Sequence, residues 1–157
     1  MAVTAWWYAN AFETMLNKEV DYLTDNIAVI LTTSSYVPNQ DTHDFGDDIT
    51  NEVAEANGYL QGLDGTGELL LSKTHSNTLN VSTLDAADPQ WTATGAGFTA
   101  RIAVFVDVAT ATAATDPLLT WMDFGQDETA SGGGTFTIAL NASGLATITP
   151  ENAAGFP

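Results

Sequence analysis

The stretch Gly97-Phe-Thr-Ala-Arg-Ile-Ala-Val-Phe-Val-Asp-Val108 decides the fold class. Every even-numbered position from Phe98 to Val108 is apolar, and this period of two residues is that of a β-strand. The positions between them are more mixed: Thr99, Arg101, Ala103, Phe105 and Asp107. The stretch therefore predicts a strand with one apolar face and one less apolar face.

Other segments of the chain carry the same type of signal. Ile27–Leu31 is a short apolar run of largely β-branched character, and Leu118–Phe124 is a further apolar segment. Alternating residues predict two hairpins: Glu68–Thr74 with Thr78–Leu84, and Thr135–Leu140 with Leu145–Thr149. Strands do not alternate with helices, which disfavours a parallel sheet. We expect a mainly β protein, an antiparallel β-sandwich or barrel of about seven or eight strands with a short N-terminal helix.

Residues 1–20 predict an aromatic arm followed by that helix. Asn10 and Glu13 have the spacing of an N-cap residue and its capping partner, and Phe12, Met15 and Leu16 then repeat at helical spacing. We interpret the 157 residues as a single domain. Its parts are the arm and helix at 1–20, a β domain at 21–149 and a tail at 150–157.

The charge balance indicates the environment of the protein. Twenty acidic residues stand against three basic ones, which gives a formal net charge of −17. A binder of nucleic-acid phosphates needs clustered Lys and Arg, so this class is excluded, and attraction to an anionic membrane is disfavoured. Repulsion within such a chain is screened in concentrated salt, where the Debye length falls from about 10 Å at 0.1 M to about 3 Å at 1 M. The composition favours a halophilic source. The alternative is an acidic protein of a mesophile that binds a cationic or metal partner.

The motifs of common enzymes and metal sites are missing from the sequence. It contains no Cys, only two His and no G-x-S-x-G motif, so we expect a non-enzymatic protein without a cofactor. The best cation candidate is the run with Asp41, Asp44, Asp47 and Asp48, because oxygen ligands close together around a glycine suit Ca²⁺. Its spacing is not that of an EF-hand. A solvated acidic loop is favoured, and no residue is assigned as a metal ligand.

A dense aromatic block near the N-terminus offers a candidate interface. Trp6, Trp7 and Tyr8 are consecutive, and Phe12 follows one helical turn later. Aromatic side chains dominate both protein cores and interface hot spots. The block could close one end of the β domain or dock onto a neighbouring subunit, and both interpretations stay open. We take Trp6, Trp7, Tyr8 and Phe12 as the candidate residues of a partner interface.

Much of the chain resembles a family of small virion structural proteins of tailed phages. The resemblance is a pattern along the chain rather than a catalytic motif. Its N-terminal part is carried by these segments: Trp7-Tyr-Ala-Asn10, Asn17–Asp21, Asp25–Leu31, Ser35–Asp44, Asp48, Glu52-Val53 and Gly58-Tyr59. Its later part is carried by these: Asp85–Trp91, Ala100–Asp107, Pro117–Gly125 and Phe136-Thr-Ile138. The chain departs from that family in its shortage of Lys and its added Asp and Glu, which suggests a halophilic tailed virus.

The resemblance implies a role and a set of partners. Proteins of this type are regarded as minor capsid, decoration or head-associated components, so we expect binding to the major capsid protein and to copies of the same chain. A homo-oligomer, with a trimer favoured, would multiply weak contacts on the lattice. The expected location is the capsid surface of the virion, after assembly in the host cytoplasm. The alternatives are a tail or baseplate component and a module that binds a host surface or carbohydrate.

Overall fold

The computed structural model describes residues 4–149, so the predicted tail at 150–157 lies outside the described residues. The described part begins with β1 (Thr4–Trp7) and α1 (Asn10–Leu16). Eight further strands follow: β2 (Ile27–Thr32), β3 (Thr74–Thr78), β4 (Val81–Asp85), β5 (Gln90–Thr92), β6 (Phe98–Asp107), β7 (Leu118–Ala130), β8 (Thr135–Thr137) and β9 (Ala146–Ile148). Single turns of 3₁₀ helix occur at Gly46–Asp48 and Ala113–Thr115. No helix within residues 4–149 is both long and apolar enough to cross a membrane.

The strands form antiparallel sheets, which confirms the predicted fold class. The largest sheet has four strands in the order β1-β7-β6-β2, and its centre is the long pair β6 and β7. A three-stranded sheet has the order β3-β4-β9, and β5 pairs with β8. The protein is therefore mainly β, with one short α-helix near the N-terminus of the described chain.

Strand β6 is buried on both faces, unlike the one-sided strand that its alternation predicts. A register shift against β7 lies between Ala100 and Ile102 and exchanges the two faces. Phe98 and Ala100 therefore belong to one core cluster, while Ile102 and Val104 belong to the other. At this shift β6 advances by two residues, from Ala100 to Ile102, while β7 advances by five, from Glu128 to Asp123, so the extra residues lie on β7. The apolar even-numbered positions of β6 therefore do not share a single face. Both clusters include residues of β6, so this strand lies between them and packs against both.

The outer edge of β2 is covered by irregular chain rather than by another strand. The Leu31 carbonyl accepts from Val53 N (2.8 Å), and Val29 N donates to the Glu68 carbonyl (2.8 Å). Between these bonds, Leu31 N donates to the Tyr59 hydroxyl oxygen (2.9 Å). An exposed strand edge invites pairing with other chains, so this cover protects the sheet on that side.

The predicted hairpins are only partly correct. A hairpin exists in the first region, but it pairs Thr74–Thr78 with Val81–Asp85, so its turn is at Leu79-Asn80 and the predicted turn at residues 75–77 lies inside β3. Both turn residues have positive φ (50° and 66°), as a tight hairpin turn requires. The second predicted hairpin is wrong: β8 pairs with β5 and β9 pairs with β4. Residues 68–73 form no strand of their own.

Helix α1 starts without the predicted side-chain cap. Asn10 is the first helical residue, and Ala9 occupies the N-cap position without a side-chain cap hydrogen bond. The helix has only seven residues, so docking stabilises it more than its own propensity does. Ala11 and Thr14 face the protein and are buried.

Candidate functional site

The aromatic block forms strand β1 rather than a free arm. Strand β1 lies at an edge of the four-stranded sheet, where Trp6 pairs with Trp121 and Trp7 pairs with Thr120. Successive side chains of a strand point to opposite faces. Trp6 and Tyr8 therefore lie on one face of the sheet, and Trp7 lies on the other.

On the first face, Trp6 is only partly covered, whereas Tyr8 belongs to the core. The rings of Trp6 and Trp121 stack, with centroids 5.5 Å apart and an interplanar angle of 20°. Trp6 remains 40% exposed, and Tyr8 is completely buried with its ring 4.5 Å from that of Trp121. Tyr8 must therefore be removed from the candidate interface, because no part of its side chain is accessible to a partner in this structure.

The Tyr8 hydroxyl ties β1 to the long loop that follows β2. It shares a hydrogen bond with the Tyr36 hydroxyl (2.8 Å), which in turn bonds His43 Nδ1 (3.1 Å). Burial raises the pKa of both tyrosines, and the nearby Asp48 carboxylate contributes to the rise. Both phenols therefore stay protonated at ordinary pH. The hydrogen bond between the two neutral phenols holds the end of β1 in place beside the partly exposed Trp6.

On the second face, the exposed surface continues onto α1. The rings of Trp7 and Phe12 lie 5.1 Å apart, and the Trp7 carbonyl accepts from Gln40 Nε2 (2.8 Å). Phe12 is 38% exposed and Leu16, one turn further along the helix, is 83% exposed. We call Trp6, Trp7 and Phe12 the aromatic edge, since their rings flank the edge strand on both faces.

A groove of about 400 Å³ lies beside β1. Its walls include Trp6, Trp7 and Thr120 from the main sheet, together with Asn141 and residues 143–147. Aromatic rings next to the amide and hydroxyl groups of Asn141 and Ser143 can stack on a flat apolar surface and hydrogen-bond at its rim. Sequence reasoning missed residues 141–147, because periodicity does not show that this segment lies next to the N-terminal strand.

The acidic loop at residues 41–48 uses one of its carboxylates to shape its own backbone. Asp48 Oδ2 accepts hydrogen bonds from Asp44 N (2.8 Å) and Phe45 N (3.3 Å) and so stabilises the 3₁₀ turn that it ends. Asp41 and Asp47 are exposed. In the part of the chain that the structure describes, no three acidic or histidine side chains are arranged to hold a metal ion.

Comparison of this chain with protein-family models, with curated proteins and with solved structures gives no match. The resemblance to tailed-phage structural proteins is therefore a hypothesis that depends on the sequence segments quoted above. The aromatic edge and the groove beside it are the surface features from which a function can be proposed.

Proposed function

We propose that the protein is a non-enzymatic structural component of a halophilic tailed virus. Its specific role is that of a decoration or minor capsid protein that binds the major capsid protein lattice as a homo-oligomer, with a trimer favoured. The observation that carries this proposal is the aromatic edge. It presents partly exposed rings on a strand and helix that are fixed to the protein's core.

The exposed rings have the properties of an interface anchor. Trp6 is held flat against Trp121, so its binding would cost little side-chain entropy. Binding energy at interfaces is concentrated in a few residues, among which Trp is enriched. A lattice presents the same contact many times, and an oligomer can therefore bind tightly through contacts that are weak individually.

The net charge of −17 fits assembly in concentrated salt. Copies of so acidic a chain repel one another in dilute buffer, whereas molar salt shortens the range of that repulsion to about 3 Å. Apolar contacts such as those of Trp6 are strengthened under salting-out conditions. Oligomerisation and lattice binding are therefore both expected to need high salt.

The first test is the copy number of the chain in purified virions. Quantitative mass spectrometry should give a ratio near one per major capsid subunit, or a simple fraction of it. A ratio below about a tenth, too low for a contact repeated across a lattice, would favour the tail or baseplate alternative. Absence from virions would refute any structural role in them.

The second test measures binding to capsids that lack the protein. In molar KCl, Trp6→Ala and Phe12→Ala should each weaken binding by about tenfold or more, as expected for interface hot spots. Leu71→Ala is the matched control. Leu71 is 64% exposed and follows a segment that pairs with β2, at the opposite edge of the main sheet. Equal binding by all three variants, with intact folding by circular dichroism, would exclude the aromatic edge as the anchor.

The groove beside β1 favours one alternative, a module that binds carbohydrate. Indole rings next to side-chain amides and hydroxyls are a combination that can stack on a sugar ring and bond its hydroxyls. Binding of glycans in a screen, lost in Trp6→Ala and Ser143→Ala, would support this function. The lattice proposal predicts no such binding.

A further inference from the structure

Strand register brings three carboxylates together at one end of the main sheet. Asp107 ends β6 opposite Ile27, and Val108 N donates to the Asn26 carbonyl (2.8 Å), which places Asp25 beside it. Asp107 N donates to the Pro117 carbonyl (3.0 Å), so Asp116 comes from the start of the adjacent strand. Both the charge of Asp25 and a side-chain hydrogen bond with it contribute to the raised pKa of Asp107.

Two of these carboxylates are buried and only half satisfied. Asp107 is 1% exposed and Asp116 is completely buried. One oxygen of each is bonded: Asp107 Oδ1 accepts from Ala109 N (2.9 Å), and Asp116 Oδ1 accepts from the Thr110 hydroxyl (2.5 Å). Among residues 4–149, their other oxygens, Asp107 Oδ2 and Asp116 Oδ2, meet no donor. A buried carboxylate oxygen that accepts no hydrogen bond is costly, so a proton or a positive charge is needed to neutralise this cluster.

The charged groups around the cluster are mainly negative. Asp25 approaches Asp107 from the segment before β2, and Asp116 approaches it from the segment before β7. Lys73 contributes the nearby positive charge, but its ammonium donates to the backbone carbonyl of Asp25 rather than to a carboxylate. A hydrogen bond between two carboxyl groups requires a proton on one of them.

We propose that Asp25 and Asp107 form a proton-binding latch, in which one shared proton holds the connection at residues 108–117 against the segment that precedes β2. Loss of the proton leaves facing negative charges in a buried space and releases this end of the sheet. Burial, reinforced by the charges of Asp25 and Asp116, raises the pKa of Asp107 to about 7, although the Ala109 N–H acts in the opposite direction. The latch is thus closed in mild acid and open in mild alkali.

The sign of the pH dependence follows from the raised pKa. An Asp in the unfolded chain has a pKa of about 3.9. Between about pH 4 and pH 7 the folded protein keeps a proton that the unfolded chain has lost, so this pair destabilises the fold progressively as the pH rises. The folding equilibrium constant should fall by about fiftyfold between pH 5 and pH 7 and level off above about pH 8. An acid paired with Arg or Lys would have a lowered pKa, and its contribution to stability would increase with rising pH.

The test compares urea unfolding of the full chain between mildly acidic and mildly alkaline pH at constant KCl. Asp107→Asn keeps a hydrogen-bond donor for Asp25 but cannot lose a proton in this pH range. The stability of this variant should therefore fall much less than that of the wild type as the pH rises. The matched control is Asp127→Asn, which removes an exposed acid from β7 and should keep the wild-type pH profile. If the stability of Asp107→Asn depended on pH as strongly as that of the wild type, the proposal would be overturned.

A second measurement on the wild-type chain covers the case in which Asp107→Asn fails to fold. Carbon NMR of labelled Asp side chains should show the Asp107 carboxyl titrating near neutrality. Hydrogen exchange of the amides at 108–117 should accelerate over the same range. Titration near the ordinary Asp value would refute the latch. So would stabilisation by millimolar CaCl₂ at alkaline pH, because a cation and not a proton would then fill the cluster.

Discussion

Replacing Tyr59 with Phe should destabilise the protein far more than the loss of one hydroxyl suggests. Tyr59 is 1% exposed, and its hydroxyl joins two parts of the structure. It accepts from Leu31 N (2.9 Å) at the outer edge of β2 and donates to Glu52 Oε1 (2.8 Å) in the covering loop. Burial and the adjacent Glu52 carboxylate raise the pKa of this phenol, so it remains a donor at ordinary pH. The substitution removes both bonds at once.

The magnitude of the effect follows from what Tyr59→Phe leaves behind. Leu31 is completely buried, so its N–H would lose its partner at a cost of about 1–3 kcal/mol. Glu52 would keep its bond from Gly62 N (2.9 Å) but lose a hydrogen bond to a charged group, at about 1.5–3 kcal/mol. The sum is about 2.5–6 kcal/mol, a large part of the stability of an ordinary domain.

Urea denaturation in molar KCl measures this difference, with Tyr22→Phe as the matched control. The Tyr22 hydroxyl donates a single hydrogen bond to the Asp85 carbonyl (2.8 Å), so its loss should cost about 1 kcal/mol. Equal destabilisation by the two substitutions, with unchanged denaturant slopes, would refute the role of Tyr59 as the bridge over the β2 edge. An increased slope for Tyr59→Phe alone would mean that the substitution changes the surface exposed on unfolding or that the two-state treatment fails.

Two further predictions concern backbone strain and salt. Gly97→Ala should cost well over about 1 kcal/mol in denaturant titrations, because φ is 78° and the new Cβ would lie 2.0 Å from the Ala130 carbonyl oxygen. Gly133→Ala, at φ 85° but with open space around it, should cost only about 1 kcal/mol. The melting temperature should rise between about 0.1 M and 2 M KCl as the self-repulsion of the chain is screened. A flat profile would contradict the halophilic interpretation.

The central strands could be predicted because their signal is local. The predicted Ile27–Leu31 is observed as Ile27–Thr32, and the predicted Gly97–Val108 as Phe98–Asp107. The assignment of faces failed at Arg101, where the register shift occurs. Arg101 binds Asp123 on β7 through Nε (2.5 Å) and Nη2 (3.3 Å). The alternation of β6 alone gives no sign of this cross-strand pair, so the bulge could not be placed from the sequence.

Strand pairing was harder to predict than strand position. The turn of the first hairpin was displaced because all five residues of β3 are exposed, and an exposed strand has no apolar period to mark it. In the second case, β8 and β9 are close in sequence but pair with β5 and β4, which precede them by many residues. Alternation shows that a segment is extended, whereas its partner depends on which edges remain free in the assembled sheets.

The candidate sites also depend on contacts between residues that are far apart in the sequence. The sequence left core and interface roles open for the aromatic block. The structure separates them on one face of the sheet, where Tyr8 is completely buried while Trp6 remains partly exposed. Among twenty acidic residues, nothing local distinguishes Asp107 from the solvated ones. It becomes distinct only because β6 pairs with β2 on one side and β7 on the other, which brings Asp25 and Asp116 to it. The search for titratable groups in such an acidic protein must therefore start from strand register, because charge density along the chain points to the exposed loop at 41–48 instead.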